Sequence, residues 1–136
     1  MMKKLPLLLA ALLMLTTLAL PAGAEAPAKP DLLAVKFHAD WCGSCKKMGT
    51  VFEDLRNKYD GKSVLFVTLD RTNTTTRSQA ELMAAALGFG DVYAQNSGTG
   101  FILLLDGKSQ QQVAKLTADQ NIKVMGAELV KQLESR

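Results

Sequence analysis

A ten-residue segment, residues 37–46, reads Phe-His-Ala-Asp-Trp-Cys-Gly-Ser-Cys-Lys. Its two cysteines, Cys42 and Cys45, are separated by two small residues and are the only cysteines in the chain. The apolar run at residues 32–39, broken by Lys36, is typical of a strand that is covered on both faces. Apolar residues at helical spacing follow the cysteines. The pair is therefore predicted to lie where a buried strand gives way to a helix.

Two cysteines at this spacing across a helix start can form either a small disulfide ring or a dithiol. Cys42 would occupy the helix N-terminus, where free backbone N–H groups and the helix dipole stabilise a thiolate. We therefore expect Cys42 to be the nucleophile and Cys45, one turn further on, to be the resolving thiol that attacks the mixed disulfide. Gly43 and Ser44 are small enough to leave the Cys42 sulfur reachable.

Other interpretations of the cysteine pair are a metal site and a static disulfide. Zinc would need more soft ligands, and the chain offers only His38 beyond the cysteines. A structural disulfide would close so short a loop that it removes little chain entropy. Cu(I) suits thiolates, so copper binding or delivery through Cys42 and Cys45, with or without His38 as a third ligand, is the rival hypothesis to redox exchange. An adaptor that uses the fold only for docking is a third.

The pattern of the remaining chain predicts an α/β domain with the order β-α-β-α-β-β-α and a mixed four-stranded sheet. A helix after the cysteines is expected to end at Gly61, and residues 63–69 form a second buried-type strand. Residues 101–105 are a third apolar strand. Asp106-Gly107 predicts a hairpin that returns residues 110–116 as an antiparallel edge strand.

Capping boxes are predicted at the starts of the two later helices. Thr76 with Gln79 would open the second helix, and Thr117 with Gln120 would open the last one. Residues 91–100, between the second helix and the third strand, are predicted to be irregular. Apolar residues at helical spacing identify the two helices: Leu82, Met83, Ala86 and Leu87 in the second, and Ile122, Met125, Leu129 and Leu133 in the last.

Length and composition limit the class of protein. The chain has 136 residues, of which 48% are hydrophobic and 21% charged, which suits one globular domain and excludes a large multidomain enzyme. The formal charge of +3 is smaller than is typical of a nucleic-acid-binding protein, so no nucleic-acid partner is expected. Two cysteines and one histidine exclude a disulfide-rich scaffold.

Residues 1–24 have the pattern of a signal peptide. Two lysines precede an apolar stretch at residues 5–20, and the small residues Ala22-Gly23-Ala24 match a cleavage site. The alternative is an uncleaved membrane anchor. Sixteen residues at about 1.5 Å each span only roughly 24 Å, however, which is short of the roughly 30 Å hydrocarbon core.

Cleavage after Ala24 would leave a Pro-rich linker at residues 25–31 and one domain at residues 32–136. It would lower the formal charge to +1, because the removed segment holds two lysines and no acidic residue. The basic start and the Leu/Ala core are of a bacterial kind. We therefore expect a periplasmic location, where disulfides form and persist.

The segment at residues 37–46 resembles the active-site stretch of the thioredoxin family, and is most similar to periplasmic carriers of the TlpA type and the exported domain of DsbD-type electron transporters. At the level of pattern, the resemblance extends from Leu32 to Leu133. It implies a thioredoxin-like three-layer fold, with Cys42 as the attacking thiol and Cys45 as the resolving thiol. It also implies exchange with protein thiols and disulfides, a membrane electron-transfer partner, a monomeric state and no cofactor. The reductase direction is favoured because most single-domain relatives of this type reduce.

One departure from the family pattern concerns the cis-proline that usually precedes the third core strand. That position falls on Gly100, preceded by Thr99. A trans peptide is expected, because a cis bond before a non-proline residue costs about 2.5–4 kcal/mol. Glycine would let the backbone approach the sulfurs, although it could also simply relieve a crowded loop. The predicted substrate contacts are Trp41, Gly43, Ser44, Thr99 and Gly100. For Trp41 the alternative is a role in packing alone.

A second departure is Lys36, six residues before the first cysteine, where many thioredoxins carry a buried acidic residue. Its expected partner across the sheet is Phe66. A nearby ammonium would lower the pKa of the cysteine thiols and move the couple toward the oxidising end of the family's range. The alternative is that Lys36 reaches solvent at the strand end.

Overall fold

The computed structural model describes residues 28–136. The predicted signal peptide, residues 1–24, and the first part of the predicted linker therefore lie outside the described residues. Among residues 28–136, no helix is both long and apolar enough to cross a membrane.

Across residues 28–136, four strands form one mixed sheet and five helices cover it. The strand order is β2-β1-β3-β4, with β1 parallel to β2 and antiparallel to β3, and β3 antiparallel to β4. The predicted fold class and the predicted edge position of β4 are confirmed. In chain order the elements are β1 (Leu32–His38), α1 (Gly43–Met48), α2 (Val51–Lys58), β2 (Val64–Asp70), α3 (Thr74–Ala86), α4 (Gly90–Gln95), β3 (Phe101–Asp106), β4 (Gln112–Thr117) and α5 (Ile122–Glu134).

The two central strands, β1 and β3, are buried on both faces, which explains their continuous apolar sequences. On one face, alternate residues such as Ala34 and Ile102 pack with α2 and α5. On the other face, Val35, Phe37 and Leu103 pack with α3 and α4. The domain therefore has helix, sheet and helix layers, with the carboxyl end of β1 leading directly into the cysteine pair.

The helix that follows the cysteines is interrupted. It consists of the short α1 and the separate α2, with Gly49 between them at a φ of 54°. Glycine adopts this conformation without the steric cost that other residues incur. The Gly49 N–H donates to the carbonyls of Cys45 and Lys46 and closes α1. The cysteines therefore belong to a helix of only six residues.

The prediction that residues 91–100 are irregular was wrong for their first half, since α4 spans Gly90–Gln95. Tyr93 lies buried in the core, and its hydroxyl donates to the Arg77 carbonyl at 3.2 Å. This tertiary anchor holds a helix that is too short for a helical period to show in the sequence.

The capping residues of α3 and α5 differ from those predicted. Asn73 caps α3 by accepting the Thr76 N–H at 3.0 Å, so Thr76 lies inside the first turn rather than before it. Asn121 caps α5, whereas Thr117 ends β4 and donates its N–H to Gln120. In both places several residues within one turn can act as caps, and sequence alone does not choose between them.

Helix α3 also presents an unexpected face to the core. Its buried residues are Ala80 and Ala84, whereas Leu82 and Met83, which helped to identify the helix, are exposed. Small alanine side chains allow α3 to lie close to the sheet.

Candidate active site around the cysteine pair

Cys42 and Cys45 form a disulfide at the carboxyl end of β1, with their Cα atoms 5.2 Å apart. Only 6% of Cys42 and 5% of Cys45 is exposed, and both pack with Ala39. Both cysteines are therefore largely buried, and the expectation that the Cys42 sulfur is reachable stays a prediction. Open space lies beside the neighbouring Gly43, which is exposed and would have no atom within 4 Å of an added Cβ.

The two sulfurs have opposite electrostatic environments. Cys42 has an extended backbone and caps α1, and its sulfur accepts the Cys45 backbone N–H at 3.1 Å. The Cys45 sulfur instead lies 3.8 Å from the carbonyl oxygen of Phe37, to which a thiol at this position can donate. A donor favours the thiolate at Cys42, whereas an acceptor favours the protonated thiol at Cys45.

Gly100 brings the backbone before β3 against the cysteine pair. Its N–H donates to the Phe37 carbonyl at 2.8 Å, and its φ is 85°. A Cβ atom here would collide with the Ser44 Cβ and lie 3.1 Å from the Cys42 sulfur. The predicted close approach of the Gly100 backbone is present, and residues 28–136 contain no cis peptide bond.

The predicted contact residues lie together around this point. Trp41 is 62% exposed, so the interpretation of this ring as a packing residue alone does not fit, and its indole N–H donates to the Thr72 carbonyl at 3.0 Å. Ser44 is exposed, and Thr99 is half-buried beside Gly100. Their contact with a substrate remains a prediction.

Sequence reasoning missed Thr72, which organises the loop that carries the cysteines. Its hydroxyl accepts the Asp40 N–H at 3.0 Å and donates to the Asp70 carboxylate at 2.6 Å. Burial of Asp70 opposes its ionisation, but the hydrogen bonds from the Thr72 side chain and backbone, together with the charge of His38, lower the pKa of Asp70. The parallel pairing of β1 and β2 could have indicated Thr72, because the carboxyl ends of parallel strands share one edge.

Lys36 is buried, and its side chain contacts α2. Its ammonium lies 3.7 Å from the Glu53 carboxylate and 5.4 Å from the centre of the Phe52 ring. The expected partnership with Phe66 was wrong, since the register places Thr68 beside Lys36 and Ala34 beside Phe66. The expected and observed registers differ by two residues, which leaves the same side chains on each face, so the alternation pattern of the sequence cannot distinguish them. The effect of Lys36 on the thiols remains a prediction.

His38 turns toward Asp40, with its Nε2 atom 3.1 Å from the carboxylate. Its Nδ1 atom is buried without a hydrogen-bond partner among residues 28–136. In the same part of the chain, no group of three His, Cys, Asp or Glu residues is placed to hold a metal ion. The copper ligand set that included His38 is therefore not assembled.

The part of the chain that contains the cysteines is similar in sequence to known thioredoxins. The thioredoxin family model matches residues 25–85, which include both cysteines. A thioredoxin from Ictalurus punctatus is 44% identical over 39 residues, which cover 29% of this chain and 36% of the relative. A thioredoxin from Borreliella burgdorferi is 32% identical over 85 residues, 62% of each chain.

Among solved structures, the thioredoxin of Malassezia sympodialis (Mala s 13) superposes with a TM-score of 0.50 and 18% sequence identity. The match covers 77% of this chain and 80% of that chain, and at this identity it shows the fold alone. The chain spans less than two thirds of the length of the two curated thioredoxins described above. The chain therefore has a thioredoxin-like α/β fold, and its residues 25–85 are similar in sequence to the thioredoxin family.

Proposed function

We propose that this protein is a thiol–disulfide oxidoreductase that exchanges disulfides with protein partners through Cys42 and Cys45. The observation that carries the proposal is the hydrogen bond from the Cys45 N–H to the Cys42 sulfur. It supports Cys42 as the thiolate of the reduced protein, and the similarity to thioredoxins supports the same chemistry.

In the reducing direction, the Cys42 thiolate attacks one sulfur of a partner disulfide and forms a mixed disulfide, while the other partner sulfur leaves as a thiolate. Cys45 then loses its proton and attacks the Cys42 sulfur. The partner leaves with two thiols, having gained two electrons and two protons, and the Cys42–Cys45 disulfide forms again. The 5.2 Å separation of the two Cα atoms suits this last step.

Partner access is proposed along the side formed by Trp41 and Gly43. The Trp41 ring is exposed beside the disulfide and held at its indole nitrogen, so it offers apolar area at little entropic cost. On another side, the Gly100 backbone lies close to the Cys42 sulfur, since an added Cβ there would be 3.1 Å from it. This asymmetry favours approach over the start of α1.

The proposed location is the periplasm, supported by the basic start, apolar core and small-residue site in residues 1–24. An exported reductase needs an electron source, so we propose a membrane electron-transfer partner of the kind that serves TlpA- and DsbD-type proteins. A monomer suffices for this chemistry, because both cysteines come from one chain.

The proposed direction is reduction. The Glu53 carboxylate beside Lys36 offsets the ammonium charge, which weakens the argument for an oxidising couple. Equilibration of the purified protein with glutathione is expected to give a reduction potential near that of thioredoxin, about −270 mV. A potential near about −120 mV, which is typical of a strong oxidant, would reverse the direction.

Replacing Cys45 with serine tests the exchange itself. In Cys45→Ser, the Cys42 thiolate can still attack, but nothing resolves the product, so mixed disulfides with partner proteins are expected to accumulate on non-reducing gels. Cys42→Ser is the matched control and should accumulate none. Accumulation in Cys42→Ser but not in Cys45→Ser would reverse the roles of the two cysteines, and accumulation in neither would contradict the proposed function.

Gly100→Ala tests whether close backbone approach is required at the site. Both the positive φ and the collision with Ser44 oppose a side chain here, so urea unfolding should show a loss of about 3 kcal/mol. Gly43→Ala is the control, with an expected change below about 1 kcal/mol, because its Cβ meets open space. Similar losses in the two variants would show that the packing at Gly100 is not a constraint.

A further inference from the structure

A cavity lies on the sheet face covered by α3 and α4, away from the cysteine pair, and its lining includes neither cysteine. Its volume is about 470 Å³, within the usual range for small-molecule sites. Arginine and glutamate side chains share its lining with an aromatic ring and small residues: Arg71, Arg77, Glu81, Ala85, Tyr93 and Ala94.

Arg71 is the unusual member of this lining, because it is a buried cation with no carboxylate partner in the described part of the chain. Only 7% of the residue is exposed, and its guanidinium carbon lies 4.1 Å from the centre of the Tyr93 ring and 5.1 Å from that of Phe37. Among residues 28–136, no acidic side chain forms an ion pair with it. Buried charges normally require such a partner.

The hydrogen-bonding capacity of Arg71 is also incompletely used. Its Nη2 atom donates to the Tyr93 carbonyl at 3.1 Å, and the buried Nε atom has no partner among the described residues. A guanidinium presents five N–H donors in a planar fork that matches the geometry of an oxyanion. An anion bound beside Arg71 in the cavity would supply the missing negative charge and an acceptor for the guanidinium.

The other lining residues restrict the kind of anion. Arg77 adds a second positive charge and Glu81 a negative one, so the three charged side chains together favour a single negative charge on the ligand. Tyr93, Ala85 and Ala94 supply apolar surface beside the guanidinium. We propose that this cavity binds an organic monocarboxylate, with its carboxylate on Arg71 and its apolar body against Tyr93.

Benzoate is a suitable probe, because it combines one carboxylate with a flat apolar body. It is titrated into the oxidised full chain at constant ionic strength, with chloride as the replaced anion, and followed by backbone amide shifts in NMR. Saturable shifts are expected at Ala85, Tyr93 and Ala94. Inorganic phosphate, titrated in the same way, is expected to bind more weakly than benzoate.

Two variants and one control locate the binding. Arg71→Lys keeps the charge but removes the fork, and should weaken benzoate binding about tenfold. Ala94→Leu fills the cavity from its exposed wall without changing the Arg71 side chain, so it tests the site even where Arg71→Lys disturbs folding, and a loss of about tenfold or more is expected. Arg56→Lys, the same substitution on the surface of α2, should leave the affinity unchanged.

Three results would overturn the proposal. They are benzoate shifts that do not saturate, equal benzoate affinity in Ala94→Leu and the unsubstituted protein, and tighter binding of phosphate than of benzoate. The redox proposal is independent of these outcomes, since the cysteine variants do not alter the cavity lining.

Discussion

The hydrogen bond from the Cys45 backbone N–H to the Cys42 sulfur is the interaction on which the proposed chemistry depends. It exists because Cys42 has an extended backbone at the end of the loop after β1 and so caps α1 with its side chain. The second sulfur lies one turn further on, beside the carbonyl of Phe37. One short helix thus gives two chemically identical thiols different environments, which is what sequential attack and resolution require.

The end of β1 and the loop that leads into α1 are held by hydrogen bonds from the segments that precede β3 and follow β2. Proline could not replace Gly100 in this conformation, because proline cannot adopt a φ of 85° and has no N–H to donate to the Phe37 carbonyl. Thr72 fixes the other side through Asp40 and the Trp41 indole. Gly100 therefore packs closely against the cysteines in a backbone geometry that proline could not adopt.

The sequence predicted the features that depend on local pattern and spacing. Nearly continuous apolar runs identified β1 and β3, and Asp106-Gly107 identified the hairpin. Both signals depend only on residues that are neighbours in the sequence. Features that depend on contacts between residues far apart in the sequence were not predicted. The sheet register that separates Phe66 from Lys36, and the buried environment of Arg71, arise only when strands and helices meet. The cysteine pair was found because its spacing carries the chemistry, whereas Thr72 acts through a hydrogen-bonding position that no motif marks.

The most direct test of the central claim is the pH dependence of alkylation of the reduced protein by iodoacetamide, with each cysteine followed by mass spectrometry. The account predicts that Cys42 reacts first, with a midpoint below that of an unperturbed thiol at about pH 8.5, while Cys45 stays largely unmodified at the same pH. A midpoint for Cys42 at or above that value, or faster modification of Cys45, would contradict the account.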